Sequence, residues 1–219
     1  VSCGAKHLAL LGRSGDSKPE AKQGVQELRS MGAEVLVGAI DVTKEEQLEK
    51  LLSEMEKTMP PLRGVIHAAM VLADIPLEQM EVSQMKKVLD PKILGAWNLH
   101  TKTLNKELDF FISFSSFSSL VGNASQGNYA AGNFYLDSLS HYRKKEGLPA
   151  STIGWGPMGE VGYVAEHEEI DKYFRQQGVE MVSLQDAWKT MVHVIDNNIG
   201  HIGMVHLDWK KYKKYSKQT

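Results

Sequence analysis

Six short apolar runs punctuate the chain, at His7-Leu11, Glu34-Ile40, Leu62-His67, Asp109-Phe114, Ala150-Ile153 and His201-Val205. Each has the length of a strand, and the longer segments between them repeat apolar positions every three to four residues. That helical period is clearest at Lys18-Met31, Lys44-Lys57, Ser83-Thr103, Gly127-Glu146 and Leu184-Asn197. Strands alternating with helices predict an α/β fold, a doubly wound parallel sheet with helices on both faces. Gly147-Leu-Pro149 stops the helix over Gly127-Glu146, because glycine suits a left-handed C-cap and proline cannot continue a helix.

Composition changes this picture little. At 219 residues, 42% of them hydrophobic, one domain can bury a substantial core. A net charge of -2 gives no reason to expect nucleic acid as a partner. No apolar stretch reaches the roughly 20 residues that span a bilayer, so no membrane is expected. Cys3 is the single cysteine, which excludes an internal disulfide and makes a reducing, cytoplasmic setting the default. No secretory signal, internal repeat or low-complexity tract is visible.

The chemistry concentrates in the middle of the chain. Ser115-Ser116 closes the run Phe110 to Phe114, Tyr129 and Asn133 follow four apart in a helical segment, and Lys92 lies upstream in Asp90-Pro-Lys92. Tyr129 and Asn133 share one helix face, and Ser116 ends a strand, so a hydroxyl is expected beside a phenol. A tyrosine titrates near about 10, so using it as a proton donor at neutral pH calls for a cation nearby, a role open to Lys92. A serine hydroxyl on the same substrate oxygen would hold a carbonyl and stabilise the charge that grows as hydride arrives. Any one of these residues alone reads better as structure; the combination reads as a carbonyl-reducing site.

The sequence resembles the ketoreductase domains of modular polyketide synthases, a branch of the short-chain dehydrogenase/reductase superfamily. The resemblance rests on Gly4-Ala-Lys-His-Leu-Ala-Leu-Leu-Gly-Arg-Ser-Gly15, Gly64-Val-Ile-His-Ala-Ala69, Asp90-Pro-Lys92, Phe114-Ser-Ser116, Gln126-Gly-Asn-Tyr-Ala-Ala-Gly-Asn133 and Trp155-Gly-Pro157. In the wider superfamily a lysine stands four residues after the tyrosine. Asn133 at that place, with Lys92 earlier, fits the polyketide branch. The resemblance implies a Rossmann-like domain over 1–208, followed by a basic linker over 209–219. It implies reduction of a β-keto group on an acyl-carrier-protein-bound thioester by NADPH, with Tyr129, Ser116, Lys92 and Asn133 as the catalytic set. Neighbouring polyketide synthase domains would be partners. A non-catalytic reductase-like domain and a free-standing β-ketoacyl reductase are the alternatives.

By the same resemblance, Arg13 and Ser14 after the first apolar run would meet the adenosine ribose, and an arginine there favours a 2′-phosphate. Asp41 and Val42 would contact the adenine, although an aspartate also suits a helix N-terminus. Ala68 and Ala69 would run beneath the cofactor, Lys92 would hold its nicotinamide ribose, Tyr129 would also contact the cofactor, and Gly156, Pro157 and Met158 would pass near the nicotinamide. Met70 stands where the family usually has glycine. Gly154-Trp-Gly-Pro-Met-Gly159 has the glycine spacing of a phosphate loop, but Pro157 removes an amide donor and no strand–helix–strand unit follows. The first strand and the phosphate loop are expected outside this chain, in an N-terminal segment that completes the cofactor site.

Stereochemistry is also implied by the resemblance. Leu72-Ala-Asp74 matches the Leu-x-Asp element of members that give the D-configured (B-type) alcohol, and Val121 stands where opposite-handed members carry tryptophan. Asp74, Leu72 and Gln126 are the substrate candidates, and Ala131 suggests a substrate without a processed α-methyl branch. The histidines His141, His193, His201 and His206 show no metal-ligand spacing, so no metal is expected. The segment from Glu160 to Gly178, with Glu166, Glu168, Glu169 and Asp171, reads equally as a lid or as a surface helix.

Overall fold

The structure, a computed structural model, describes residues 1, 4–160 and 168–215. In chain order it runs β1 (His7–Gly12), α1 (Pro19–Ser30), β2 (Glu34–Ala39), α2 (Glu45–Thr58) and β3 (Gly64–His67). A 3-10 turn at Leu77–Gln79 leads to α3 (Val82–Lys102), β4 (Phe110–Ser116), α4 (Ser118–Val121), α5 (Gly127–Lys145) and β5 (Ser151–Trp155). Then come α6 (Glu168–Gln176), β6 (Val179–Glu180), α7 (Leu184–Asp196), β7 (His201–Met204), β8 (His206–Leu207) and α8 (Trp209–Tyr215).

All six strands read from the apolar runs form, and all pair in parallel. They fall into two sheets, β1-β2 and β3-β4-β5-β7, while the short β6 and β8 pair antiparallel. Alternation along β4 sends neighbouring residues to opposite faces. Phe111 packs with Leu48, Val65 and Leu99 from the α2 and α3 side. Ile112 packs with Ile153, Val182 and Val194 from the α7 side. The doubly wound arrangement is thus observed, and Leu10 and Leu11 of β1 and Ile66 of β3 remain exposed.

Two local features fix the helices that carry the site. At the end of α5, Gly147 takes φ 73° and the Leu148 amide donates to the Arg143 carbonyl at 2.9 Å, the pairing of a Schellman cap. Arg143 itself is buried, 4.0 Å from the Phe111 ring centroid, with Nε donating to the Pro149 carbonyl at 3.1 Å and Nη1 2.8 Å from His100 Nδ1. Burial pushes its guanidinium down to about 10, and the contacts pin α5 to α3 and β4.

The stretch expected as a basic linker over 209–219 is helical in its described part. Trp209–Tyr215 is helix α8, capped at its start by Asp208, whose carboxylate accepts from the Lys210 and Lys211 amides. Gly178, at φ 80°, fits beneath α8: a Cβ there would meet Lys211 at 2.7 Å and the Asp208 carbonyl at 2.8 Å. Among the described residues no helix is long and apolar enough to cross a membrane, and no cluster of His, Cys, Asp and Glu could hold a metal ion.

Candidate active site

A parallel sheet delivers the carboxyl ends of its strands to one edge, and in open α/β sheets that edge binds ligands. Arg13 and Ser14 follow β1, Asp41 and Val42 follow β2, Ala68 and Ala69 follow β3, Gly156 follows β5, and Ser116 is the last residue of β4. A cavity of about 1080 Å³ opens there. It brings together Lys92, Ser116, Tyr129, Asp74, Leu72 and Gln126, and its wall also includes Ala68, Gly156, Pro157 and Met158. Arg13, Ser14, Asp41 and Val42 lie outside it.

Lys92 comes from the middle of α3 and is only 2% exposed. Its ammonium donates to the Phe114 carbonyl at 3.2 Å and sits 5.5 Å from the Tyr129 ring centroid. Burial pulls it down to about 8, against the opposing attraction of Asp137. Below that pH it is a charged group in a largely apolar cavity. Ser116 Oγ accepts from the Ser118 amide at 3.2 Å and from Ser118 Oγ at 2.9 Å, so α4 fixes its rotamer.

Tyr129 stands near the start of α5 beside these groups, with its hydroxyl donating to Met70 Sδ at 3.4 Å. Sequence reasoning expected Lys92 to pull the phenol down. Instead burial holds it above its ordinary value, reinforced by the Asp74 carboxylate and opposed by Ser116 and Asn133. The phenol is therefore fully protonated at neutral pH, as a proton donor must be. Asn133 is buried; its Nδ2 donates to the Tyr129 carbonyl at 2.8 Å, while Oδ1 has no partner. It braces the helix turn that presents Tyr129 rather than touching the phenol by that bond.

The loop before α5 is tied across the cavity mouth. Gln126 Nε2 donates to Asp74 Oδ2 at 2.7 Å, Asn123 Nδ2 donates to Gln126 Oε1 at 2.9 Å, and Ile75 N donates to the Ser125 carbonyl at 2.8 Å. Asn128, fully buried, donates to the Ala73 carbonyl at 3.0 Å. Leu72-Ala-Asp74 is thereby locked to the helix that carries Tyr129. Ser125 holds φ 60°, a left-handed conformation that this double tie imposes on a non-glycine residue.

The remaining candidates have mixed fates. Asp41 accepts from the Thr43 amide at 3.0 Å and hydroxyl at 2.8 Å. Burial alone would raise its carboxyl, but those bonds with the charges of Arg13 and Lys44 bring it below its ordinary range. Arg13 is exposed and close enough to act on Asp41, so the ends of β1 and β2 form one polar corner. The Val42 carbonyl accepts from Asn98 Nδ2 at 3.0 Å. Gly156 N donates to the Met204 carbonyl at 2.7 Å and Gly159 N to the Val182 carbonyl at 3.1 Å, so these amides are spent on backbone and cannot cradle a phosphate. Of the lid segment, Glu166 falls outside the described residues. Ile170, Tyr173 and Phe174 of α6, within the stretch that reads equally as a lid or a surface helix, line the cavity together with Tyr212 and Tyr215 of α8, which fall in the expected linker.

Residues 1–160 match the family model of the KR domain. The chain belongs to the KR domain family, the ketoreductases of polyketide synthases. It is 43% identical over 199 residues to the reducing polyketide synthase rdc5 of Metacordyceps chlamydosporia, covering 90% of this chain and 8% of that protein. It is also 43% identical over 182 residues to the hybrid PKS-NRPS synthetase pyvA of Aspergillus violaceofuscus, covering 83% of this chain and 5% of that one. Among solved structures, A-type ketoreductases from a modular polyketide synthase superpose with a TM-score of 0.93 at 31% identity, covering 98% of this chain and 45% of theirs. The first ketoreductase of the tylosin PKS gives 0.88 at 32% identity, over 98% and 46%. Polyketide synthase ketoreductases are nicotinamide-dependent reductases, and the residues at this site fit the nicotinamide end of such a cofactor. Ala68 offers little side chain to a flat ring, and Lys92 with Tyr129 supplies a cation and a hydroxyl at the cavity floor.

Proposed function

We propose that this ketoreductase domain reduces the β-keto group of a carrier-protein-bound acyl thioester, uses NADPH, and gives the D-configured alcohol. The observation that carries the reading is the convergence of Lys92, Ser116 and a protonated Tyr129 on one cavity. A bound nicotinamide supplies the hydride; this chain's residues do the rest. Ser116 donates to the carbonyl oxygen and fixes its direction. Tyr129 delivers the proton to that oxygen as negative charge develops on it. The Lys92 ammonium stabilises the phenolate left behind, and Asn133 holds the helix turn in register.

The preference for NADPH rests on Arg13, exposed at the end of β1, where a guanidinium can meet a 2′-phosphate. The exposed faces of Leu10, Leu11 and Ile66 support a further strand between β1 and β3, bringing the phosphate-binding turn. The D-alcohol preference rests on the anchoring of Leu72-Ala-Asp74 by Gln126 and Asn128, and on Val121 at the cavity wall. Likeness to A-type structures reports the shared backbone and does not set the configuration. The test is reduction of a β-ketoacyl thioester with product analysis on a chiral phase. The D-β-hydroxyacyl product supports the reading; the L product overturns its stereochemical part, and an unreduced thioester overturns the whole.

A further inference from the structure

The Tyr129 hydroxyl spends its proton, in the free protein, on a group that the proposed reaction does not use. Among the described residues its acceptor is Met70 Sδ, at 3.4 Å. The oxygens nearer the chemistry are otherwise engaged. Ser116 Oγ accepts from the Ser118 amide at 3.2 Å and from the Ser118 hydroxyl at 2.9 Å, which fills both lone pairs of a serine hydroxyl. Gln126 Oε1 accepts from Asn123, and Asp74 Oδ2 accepts from Gln126. Asn133 Oδ1 has no partner, so the phenol does not reach it, and an ammonium such as that of Lys92 accepts nothing.

Met70 has little structural reason to stand there. It is the third residue after β3, lies on the cavity wall 45% exposed, and joins none of the apolar core clusters. Its thioether is a weak acceptor on a flexible stem. We infer that Met70 is a positioning residue, the stand-in acceptor that holds the Tyr129 hydroxyl until a substrate oxygen takes its place. A weak acceptor suits that task. A carbonyl oxygen is the stronger partner and displaces the sulfur, whereas a fixed protein oxygen would hold the phenol against the substrate. The hydrogen bond stands on its own geometry; its kinetic consequence rests on the ketoreductase reading.

That consequence is a KM set in part by a hydrogen bond that the substrate must break. Met70→Leu keeps the apolar bulk and removes the acceptor, so binding no longer breaks it. KM for a β-ketoacyl thioester should fall about two- to fivefold. The kcat should not change, because the sulfur is no longer bonded to the phenol once substrate is bound. Met70→Gln places a stronger acceptor, an amide oxygen, at similar reach and should raise KM several-fold. Lost packing alone would move both variants in the same direction. A second readout needs no turnover: the methyl carbon-13 spectrum of the full protein labelled at methionine, with Met70 assigned by its absence from Met70→Leu. Tyr129→Phe keeps the ring, removes the hydroxyl and should shift the Met70 signal in the free protein. An unmoved signal overturns the pairing. A moved signal with KM values that shift together, or not at all, overturns the positioning role. A moved signal in a protein that leaves the thioester unreduced overturns the ketoreductase reading and leaves the pairing standing.

Discussion

Lys92→Met should make this protein more stable at neutral pH while removing its reductase activity. Lys92 is only 2% exposed, and burial brings its ammonium from 10.5 down to about 8. At about 1.4 kcal/mol per tenfold, holding that charge in the fold at pH 7 costs about 3 kcal/mol relative to the unfolded chain. Methionine matches the stem in length and shape and carries no charge. It gives up the hydrogen bond to the Phe114 carbonyl, worth about 1–1.5 kcal/mol, so the net gain at pH 7 is about 2 kcal/mol. For a chain of this size that is a rise in Tm of about 4–8 °C. Between pH 8 and 10.5 the unfolded lysine binds a proton that the folded one has lost, so the parent's stability rises with pH through that window. The advantage of methionine must therefore shrink as pH rises and vanish above it. Urea unfolding of both proteins at pH 7 and pH 10 measures this. A methionine variant less stable at pH 7, or one whose advantage is the same at both pH values, would refute the reasoning.

Two further expectations concern cofactor choice and packing. Arg13→Ala should raise the KM for NADPH by about tenfold or more and leave NADH nearly untouched, since only the 2′-phosphate loses a charged partner; steady-state kinetics with both cofactors decides it. A Cβ on Gly95 would meet Val42 Cγ1 at 2.8 Å and His67 Cε1 at 3.2 Å. Gly95→Ala should thus be destabilising by about 1–3 kcal/mol from overpacking, less the gain in helix propensity of about 1 kcal/mol, read as a lower urea midpoint.

The long elements were legible because their periodicity is strong. All six apolar runs became strands, and the five helical segments agree with the structure to within one or two residues at each end. The short elements were not. Strands β6 and β8 contribute two residues each, below the length at which alternation can be seen. Helix α8 was hidden by its charge, since Lys210, Lys211, Lys213 and Lys214 read as a solvated tail while Tyr212 and Tyr215 turn to the cavity. Of the site, Lys92, Ser116 and Tyr129 were legible through the motifs and converge as expected. The direction of the Tyr129 shift was not, because burial is a tertiary quantity.

The decisive measurement is the rate of NADPH oxidation with a β-ketoacyl thioester by the parent and by Tyr129→Phe, with cofactor affinity followed by NADPH fluorescence. The phenylalanine keeps the ring over Lys92 and removes only the proton donor. The expected result is a fall in kcat of about 10²- to 10⁴-fold with NADPH affinity unchanged. Turnover by Tyr129→Phe at the parental rate would contradict the assignment of this cavity as a ketoreductase active site.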